Sequence, residues 1–164
     1  MMTAMKPLHH ELRYDRASVE QVRAMLADPA FREEVCASQH YDRYSVDIGR
    51  SGDLMTVTID QVRPTDGLPS FAKKFVGGEV RIVQHEEWTS GDEAALEVTI
   101  PGKPGDMRGT IRLAGAGGGV TETVHVDIRV SLPLVGGRIE GLIADLLTQA
   151  LEAENRVGRE WLGR

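Results

Sequence analysis

Residues 132–162 read LPLVGGRIEGLIADLLTQALEAENRVGREWL, and this segment constrains how the rest of the chain can fold. From about Arg138 to Leu162, its apolar residues recur every three or four positions, which predicts one stripe along an amphipathic helix. The stripe consists of Ile139, Leu142, Ile143, Leu146, Leu147, Ala150, Leu151, Val157 and Trp161. At 1.5 Å per residue, this helix is about 37 Å long. A helix of that length needs a broad apolar surface, which the preceding chain must supply.

The preceding chain alternates apolar and polar residues in seven segments, and each segment predicts a strand with one buried face. These segments cover residues 8–14, 44–48, 55–59, 80–88, 96–100, 107–113 and 120–130. Such alternation is typical of an antiparallel sheet that is solvated on one side. Two short helices are predicted after the first strand: Ser18 and Gln21 form a capping box for one, and Asp28-Pro29 begins the other.

These elements predict an α+β fold in the order β-α-α-β6-α. A sheet of about seven strands twists and curves, and its concave face can wrap around the long C-terminal helix. The gap between a curved sheet and a straight helix widens unless bulky side chains fill it. Because aromatic residues make up only 5% of the chain, we expect a cavity there, with a filled core as the alternative.

The segment from Pro64 to Gly78 interrupts the sheet between two strands. It contains two of the three phenylalanines, and Phe71, Phe75 and Val76 are spaced for one face of a short helix. An apolar insert of this kind either seals one end of the core or covers an opening.

Length and composition exclude several classes of protein. At 164 residues, we expect a single domain spanning residues 1–164. The net charge of −6 and the absence of a basic stripe argue against a nucleic-acid partner. The single Cys36 excludes an internal disulfide and fits a reducing compartment, and no apolar run reaches the length of a signal peptide core or a membrane span. We therefore expect a cytoplasmic protein.

A series of short motifs along the chain matches one known superfamily. The motifs are Asp28-Pro29-Ala30-Phe31-Arg32-Glu33, Leu68-Pro69-Ser70-Phe71, Phe75-Val76-Gly77, Trp88, Pro101-Gly102-Lys103-Pro104 and Pro133-Leu134-Val135-Gly136-Gly137-Arg138-Ile139-Glu140. From about Lys6 to Leu162, the chain resembles the START-like, helix-grip (SRPBCC) superfamily of polyketide cyclases and hydrophobic-ligand carriers, and most of all a family of uncharacterised actinobacterial START-like proteins. The resemblance implies the helix-grip fold. Because carriers, cyclases, hydrolases and chaperone activators share this scaffold, it does not select a function.

Three polar residues fall on the inward face of predicted strands. His10 follows the same alternation as its apolar neighbours and is therefore expected to point inward. It is either a strand-end histidine that is hydrogen-bonded to backbone or a polar contact for a ligand. Gln84 and Glu86 lie on the inner face of the strand that ends at Trp88. A buried carboxylate is costly unless it is paired, and burial raises its pKa into the range useful for acid–base catalysis. The alternative is that Glu86 lies at the sheet edge or pairs with Arg81 or Arg112.

Glu122 presents the same ambiguity on the last strand, and because it lies nearer a turn we expect it to be exposed. Phe71, Phe75 and Trp88 are either core residues or line and cap a cavity. On the last helix we expect Leu142 and Leu146 to lie in the core. We also expect part of the apolar helix face that carries them to contact a ligand.

No motif for a metal or cofactor is present, and we expect neither. The glycine-rich segment 114–119 joins two strands, whereas a phosphate-binding loop joins a strand to a helix N-terminus. Cys36 has no activating neighbour in the sequence and is interpreted as a packing residue.

The leading hypothesis is a binding protein for a lipid or other hydrophobic small molecule, held between the concave sheet and the last helix. The residues expected to contact this ligand are His10, Phe71, Phe75, Gln84, Glu86, Trp88, Leu142 and Leu146. A second hypothesis is a cyclase, dehydratase or hydrolase that uses His10, Glu86 or Glu122 as acid or base. A third is a protein-interaction module with a filled core. The sequence carries no indication of ligand identity or oligomeric state.

Overall fold

The computed structural model describes residues 5–164 and has the predicted α+β architecture. Its elements are β1 (Lys6–Asp15), α1 (Val19–Leu26), α2 (Pro29–Ser38), β2 (Arg43–Ser51), β3 (Leu54–Pro64), α3 (Ser70–Val76), β4 (Glu79–Trp88), β5 (Glu93–Thr99), β6 (Asp106–Ala116), β7 (Gly119–Arg129) and α4 (Gly136–Leu162). The strands form one curved antiparallel sheet in the order β1-β7-β6-β5-β4-β3-β2. This arrangement confirms the predicted fold class, with α3 as the helical part of the insert.

Strands β2 through β7 each pair with the next in sequence order, and β1 closes the far side by pairing with β7. Gly109 in β6 marks a place where two strands approach closely. A Cβ atom at this position would lie 1.6 Å from the carbonyl oxygen of His125 in β7, so only glycine fits. Such glycines allow a sheet to curve more sharply than side chains would permit.

The two short helices after β1 begin with side-chain caps. In α1, Ser18 and Gln21 form the predicted capping box, with hydrogen bonds of 2.8 and 3.1 Å. In α2, the Asp28 carboxylate accepts a hydrogen bond of 2.9 Å from the Ala30 N–H, and Pro29 occupies the first turn. These caps fix the start of α2, whose buried face carries Phe31, Arg32, Val35 and Cys36.

The helix α4 begins at Gly136, two residues before the predicted start at Arg138. The Glu140 carboxylate accepts a hydrogen bond of 2.7 Å from the Val130 N–H, which ties the first turn of α4 to the end of β7. Apolar spacing does not locate this helix start, because Gly136 and Gly137 do not contribute to the apolar stripe.

Both ends of α4 are buried, but its middle is not. Residues 139, 140, 143 and 144 near the start, and 153, 154, 157 and 158 near the end, are buried. Leu146, Leu147, Ala150 and Leu151 between them are only half-buried. The helix therefore spans an opening rather than resting on a continuous core.

A candidate ligand cavity with a buried charge cluster

The opening under the middle of α4 contains a cavity of about 80 Å³ that combines apolar walls with a group of polar side chains. The walls come from β1, β3, β4, β5, β6, β7, α2 and α4. The polar residues that line it are Arg32, Gln39, Gln61, Gln84, Glu86, Glu122 and Glu154. Because a single water needs a cavity of only about 10–15 Å³, this space is large enough for a ligand group.

An ion pair between Arg32 and Glu86 lies at the centre of these polar residues. The guanidinium donates through Nη1 and Nη2 to the two carboxylate oxygens, at 2.9 and 2.8 Å, while the two side chains are 2% and 1% exposed. Two further donors reach the same carboxylate: Gln84 Nε2 at 2.6 Å and Trp88 Nε1 at 2.9 Å. The Arg32 Nε–H donates to the carbonyl oxygen of Leu26 at 2.8 Å. The pair is therefore held rigidly from α1, α2 and β4.

The charges of Arg32 and Glu86 stabilise one another. Burial by itself raises the pKa of Glu86, but the charge and hydrogen bonds of Arg32, with those of Trp88 and Gln84, outweigh it and hold the pKa below the ordinary value. Burial lowers the pKa of Arg32, but the charges of Glu86 and Glu154 raise it above its ordinary value. Both groups are therefore ionised at neutral pH.

Two more carboxylates, Glu122 from β7 and Glu154 from α4, face this pair. Burial, and next the charge of Glu154, raise the pKa of Glu122 well above its ordinary value. Burial also raises the pKa of Glu154 to about 7, although the charge of Arg32 opposes this rise. The Glu154 Oε1 atom lies 3.8 Å from Arg32 Nη1, too far for a hydrogen bond. At neutral pH these two carboxyl groups therefore hold at least one proton between them.

Two buried oxygen atoms in this region have no hydrogen-bond partner among residues 5–164. They are the Tyr14 hydroxyl, on β1, and Oε1 of Glu122. Burial, and next the charge of Glu122, raise the pKa of Tyr14, so this hydroxyl stays protonated. Buried polar atoms without partners are uncommon in native proteins and are explained by stored strain, by a catalytic role or by a bound water or ion.

A second cavity of about 80 Å³ lies between α3, the sheet and the first half of α4. Its lining is apolar except for Arg63 and includes Leu68, Ala72, Phe75, Val76, Val80, Ile100, Met107, Ile139, Leu142, Ile143 and Leu146. Ile82, Val98 and Leu147 line both cavities, so the two adjoin. The interior thus offers one polar end and one apolar end along the same helix.

The structure brings together most of the residues that the sequence analysis proposed for the ligand. Gln84 and Glu86 line the polar cavity, and Phe75, Leu142 and Leu146 line the apolar one. Trp88 is 3% exposed and reaches the site through its hydrogen bond to Glu86. That these residues bind a ligand stays a prediction.

Besides Trp88, two of the proposed residues line neither cavity. His10 is half-buried on the inward face of β1 but does not line either cavity. Phe71 in α3 is half-buried, and the Arg138 guanidinium stacks over its ring at 4.2 Å. Phe71 therefore helps to attach α3 to the start of α4.

Two expectations about the carboxylates were wrong. Glu122 is 2% exposed rather than exposed, because it continues the inward alternation of β7 between Val120 and Val124. Glu86 pairs with Arg32, whereas Arg81 pairs with Asp60 and Arg112 with Glu93 on the solvent side. On β4 and β6, those two arginines alternate to the outer face, so neither could reach an inward carboxylate.

Arg32 and Glu154 are functional candidates that the sequence analysis missed. Each is a charged residue within an otherwise apolar helix face: Arg32 precedes Val35 and Cys36 by three and four residues, and Glu154 precedes Val157 and Gly158 by the same spacing. That spacing is the signal that could have identified them. Cys36 is buried, and burial raises the pKa of its thiol to about 11, so it is neutral.

Two further features of residues 5–164 concern possible partners. No helix in this range is both long and apolar enough to cross a lipid bilayer. No three side chains of the His, Cys, Asp and Glu types are grouped within it in a way that could hold a metal ion.

A curved sheet that wraps around a terminal helix over a cavity defines a helix-grip protein. Residues 9–162 match the family described as "Protein of unknown function (DUF2505)", and the chain belongs to this family. A relative at the sequence level is the uncharacterized protein Rv0481c of Mycobacterium tuberculosis, 29% identical over 126 residues. The matched region covers 73% of this chain and 72% of the mycobacterial protein.

Several solved structures share the fold. The protein TTHA0849 from Thermus thermophilus has a TM-score of 0.65 at 18% identity and covers 96% of this chain and 97% of its own. The di-domain ARO/CYC StfQ of the steffimycin biosynthetic pathway has a TM-score of 0.65 at 12% identity, over 97% of this chain and 51% of its own. Norcoclaurine synthase from Thalictrum flavum has a TM-score of 0.59 at 16% identity, over 94% and 87%. At these identities, the likeness concerns the fold.

Proposed function

We propose that this protein binds a hydrophobic small molecule between the concave sheet and α4, with the apolar part under α3 and a polar end at the Arg32–Glu86 cluster. The observation that carries this proposal is the pair of adjoining cavities beneath the half-buried middle of α4. A protein that needed only a stable core would gain by filling this space, since each unfilled methyl-sized void costs about 1 kcal/mol.

The lining favours a slender ligand with one polar end. Apolar side chains supply binding energy by removing ligand surface from water, and a few fixed polar groups orient the ligand. Each cavity is about 80 Å³, which is small beside the roughly 300–1,000 Å³ typical of sites for drug-sized molecules. A single alkyl chain or a small ring fits this space, and a larger lipid would require α3 to move away from α4.

Native mass spectrometry of the purified protein, followed by solvent extraction, tests this proposal. We expect an apolar molecule to co-purify, or decanol to form a one-to-one complex when it is added to the stripped protein. Leu146→Trp places a large side chain into the apolar cavity and should abolish this complex. The matched control is Leu54→Trp, because Leu54 is 38% exposed and lines neither cavity. Reproducible absence of both co-purified and added ligand would contradict the proposal.

A second candidate function is acid–base catalysis on an apolar substrate in the same cavity, as in a cyclase, dehydratase or hydrolase. The observation that favours it is the Glu122–Glu154 pair, in which Glu154 has a pKa of about 7 and can both donate and accept a proton at neutral pH. Some proteins of similar fold are described as aromatase/cyclases.

Turnover of aromatic polyketide-like and ester substrates tests this second candidate. We expect a rate that depends on a group with an apparent pKa near 7 and falls strongly in Glu154→Gln. The control is Glu152→Gln, because Glu152 is exposed on the same helix. Unchanged turnover in Glu122→Gln, Glu154→Gln and Glu86→Gln would exclude catalysis by these carboxyl groups.

A further inference from the structure

The polar cavity carries more acidic than basic groups. Of the described side chains that line it, three are carboxylates, Glu86, Glu122 and Glu154, and one is a guanidinium, Arg32. Both oxygens of Glu86 are already bonded to Arg32. Glu154 has only the 3.8 Å contact with the same guanidinium, and Glu122 has no ion-pair partner in the described part of the chain. The charge of Arg32 is therefore balanced by Glu86, and the other two carboxyl groups, which share at least one proton at neutral pH, have no counter-ion of their own among the described residues.

The second observation is independent of this charge balance. Glu122 is 2% exposed, lines the cavity, and its Oε1 atom accepts no hydrogen bond from any of residues 5–164. A buried acceptor without a donor is costly, and a ligand N–H or O–H placed against it would remove that cost. Oε1 of Glu122 is therefore free to accept a hydrogen bond from a ligand.

The excess negative charge of the cluster determines which kind of ligand hydrogen-bond donor binds best. A carboxylate ligand would place a further negative charge beside Glu122 and Glu154, and a neutral hydroxyl would satisfy one acceptor without balancing the charge. We propose that the polar end of the ligand is a primary or secondary ammonium group, bound by Glu122 and Glu154. This inference rests on the proposed function and names the chemical class of the ligand.

The groups around Glu154 determine how such binding depends on pH. Those facing it are Arg32 from α2, Glu86 from β4, Glu122 from β7 and Tyr14 from β1, and the first two stay ionised near neutral pH while Tyr14 stays neutral. An arriving ammonium favours the ionised carboxylates and expels the proton that Glu122 and Glu154 hold. The affinity for an amine should therefore increase as the pH rises through about 7, the pKa of Glu154.

The length of the site sets the size of the test ligands. Leu146, in the apolar cavity, precedes Glu154 by eight residues on α4, which is about 12 Å along the helix. A ten-carbon chain is about this long. Decylamine, decanol and decanoate share this chain and differ only in the polar end, so they isolate its contribution.

Isothermal titration of the full-length protein with these three compounds, below their micelle concentrations, tests the proposal. At pH 8, we expect decylamine to bind about tenfold or more tightly than decanol, and decanoate to bind most weakly. Decylamine affinity should rise several-fold from pH 6 to pH 8 and decanol affinity should not change. In Glu122→Gln and Glu154→Gln, the preference for the amine should fall to less than about threefold, while Glu152→Gln should retain it.

The outcomes separate this inference from the proposed function. If decanol binds as tightly as decylamine, or decanoate binds most tightly, the ammonium proposal is overturned and the hydrophobic cavity stands. If none of the three binds, both proposals fail. Circular dichroism shows whether each glutamine variant folds. Should one unfold, the wild-type pH series still decides, because a decylamine affinity that is constant or falls between pH 6 and pH 8 contradicts the proposal.

Discussion

Arg32 in α2 and Glu86 in β4, separated by 54 positions in the chain, meet through two parallel hydrogen bonds of 2.9 and 2.8 Å in the interior. This bidentate pair is the only part of the charge cluster, within residues 5–164, in which opposite charges match one to one. It fixes the polar end of the cavity, because Gln84 and Trp88 also bind the Glu86 carboxylate. Glu122 and Glu154 lie around this fixed centre with protons that can be exchanged.

Removal of Arg32 should be strongly destabilising. Arg32→Met leaves Glu86 buried without its counter-ion, and the loss of one partner of a buried pair lowers the free energy of unfolding by about 3–5 kcal/mol. Urea denaturation measures this change. The control is Arg81→Met, since the Arg81–Asp60 pair is on the surface, with side chains 55% and 32% exposed, and such exposed pairs contribute little to stability. Equal losses in the two variants would show that the buried pair has no special role.

The unfolding free energy should fall as the pH rises from 5 to 8. Glu154 has a pKa of about 7 in the folded protein, above its ordinary value near 4.5, so the folded state holds a proton that the unfolded chain has already lost. Deprotonation across this range therefore favours unfolding, by an amount on the order of 2 kcal/mol. Glu154→Gln should reduce the decline, with the remainder due to Glu122, and Glu152→Gln should leave it unchanged. A wild-type stability that increases over this interval would contradict the assignment.

Two glycines of α4 should respond in opposite ways to alanine. A Cβ atom on Gly158 would lie 2.7 Å from the Tyr14 ring, whereas one on Gly141 would meet nothing within 4 Å. Gly141→Ala should therefore stabilise the protein by about 0.5–1 kcal/mol through helix propensity. Gly158→Ala should destabilise it because α4 must move away from β1. Thermal unfolding of the two variants measures the difference. A gain in stability in both variants would show that the Tyr14 ring moves aside at little energetic cost.

Filling the apolar cavity should separate stability from binding. Leu146→Trp adds volume where the structure has space, so we expect the free energy of unfolding to change by no more than about 1–3 kcal/mol. We also expect decanol binding to be lost. Denaturation and titration of the same preparation measure both quantities. Retained decanol affinity in a folded Leu146→Trp protein would place the ligand elsewhere.

The sequence was sufficient for the fold because its signals are local and repeated. Strict alternation in seven strands and a three-four spacing in the last helix each specify one face of an element, and the architecture follows from burying those faces. The prediction that the insert covers part of the interior follows for the same reason, because Phe75 and Val76 are apolar and share one face of a short helix. Both line the second cavity.

The charge cluster could not be predicted as a whole because its members come from separate elements. Alternation places Glu86 on the inner face of its strand, but the partners that the sequence suggests, Arg81 and Arg112, are both on strands. The true partner lies on α2, and only the packing of α2 over the sheet brings the two together. Nearness to a turn predicts an exposed Glu122, whereas its alternation in β7 indicates the interior. The pairing of Glu122 with Glu154 depends on where α4 crosses the sheet, which no local pattern specifies.

Methyl NMR of the leucine- and valine-labelled protein during titration with decanol shows directly whether a hydrophobic molecule enters the interior beneath α4. Val98 and Leu147 line both cavities, and Leu142 and Leu146 line the apolar one, so we expect saturable shifts of these methyl signals. Leu54 and Leu134, which are 38% and 101% exposed, should not shift. Shifts confined to the exposed methyl groups, or no saturable shift at all, would show that the interior beneath α4 does not bind a hydrophobic molecule.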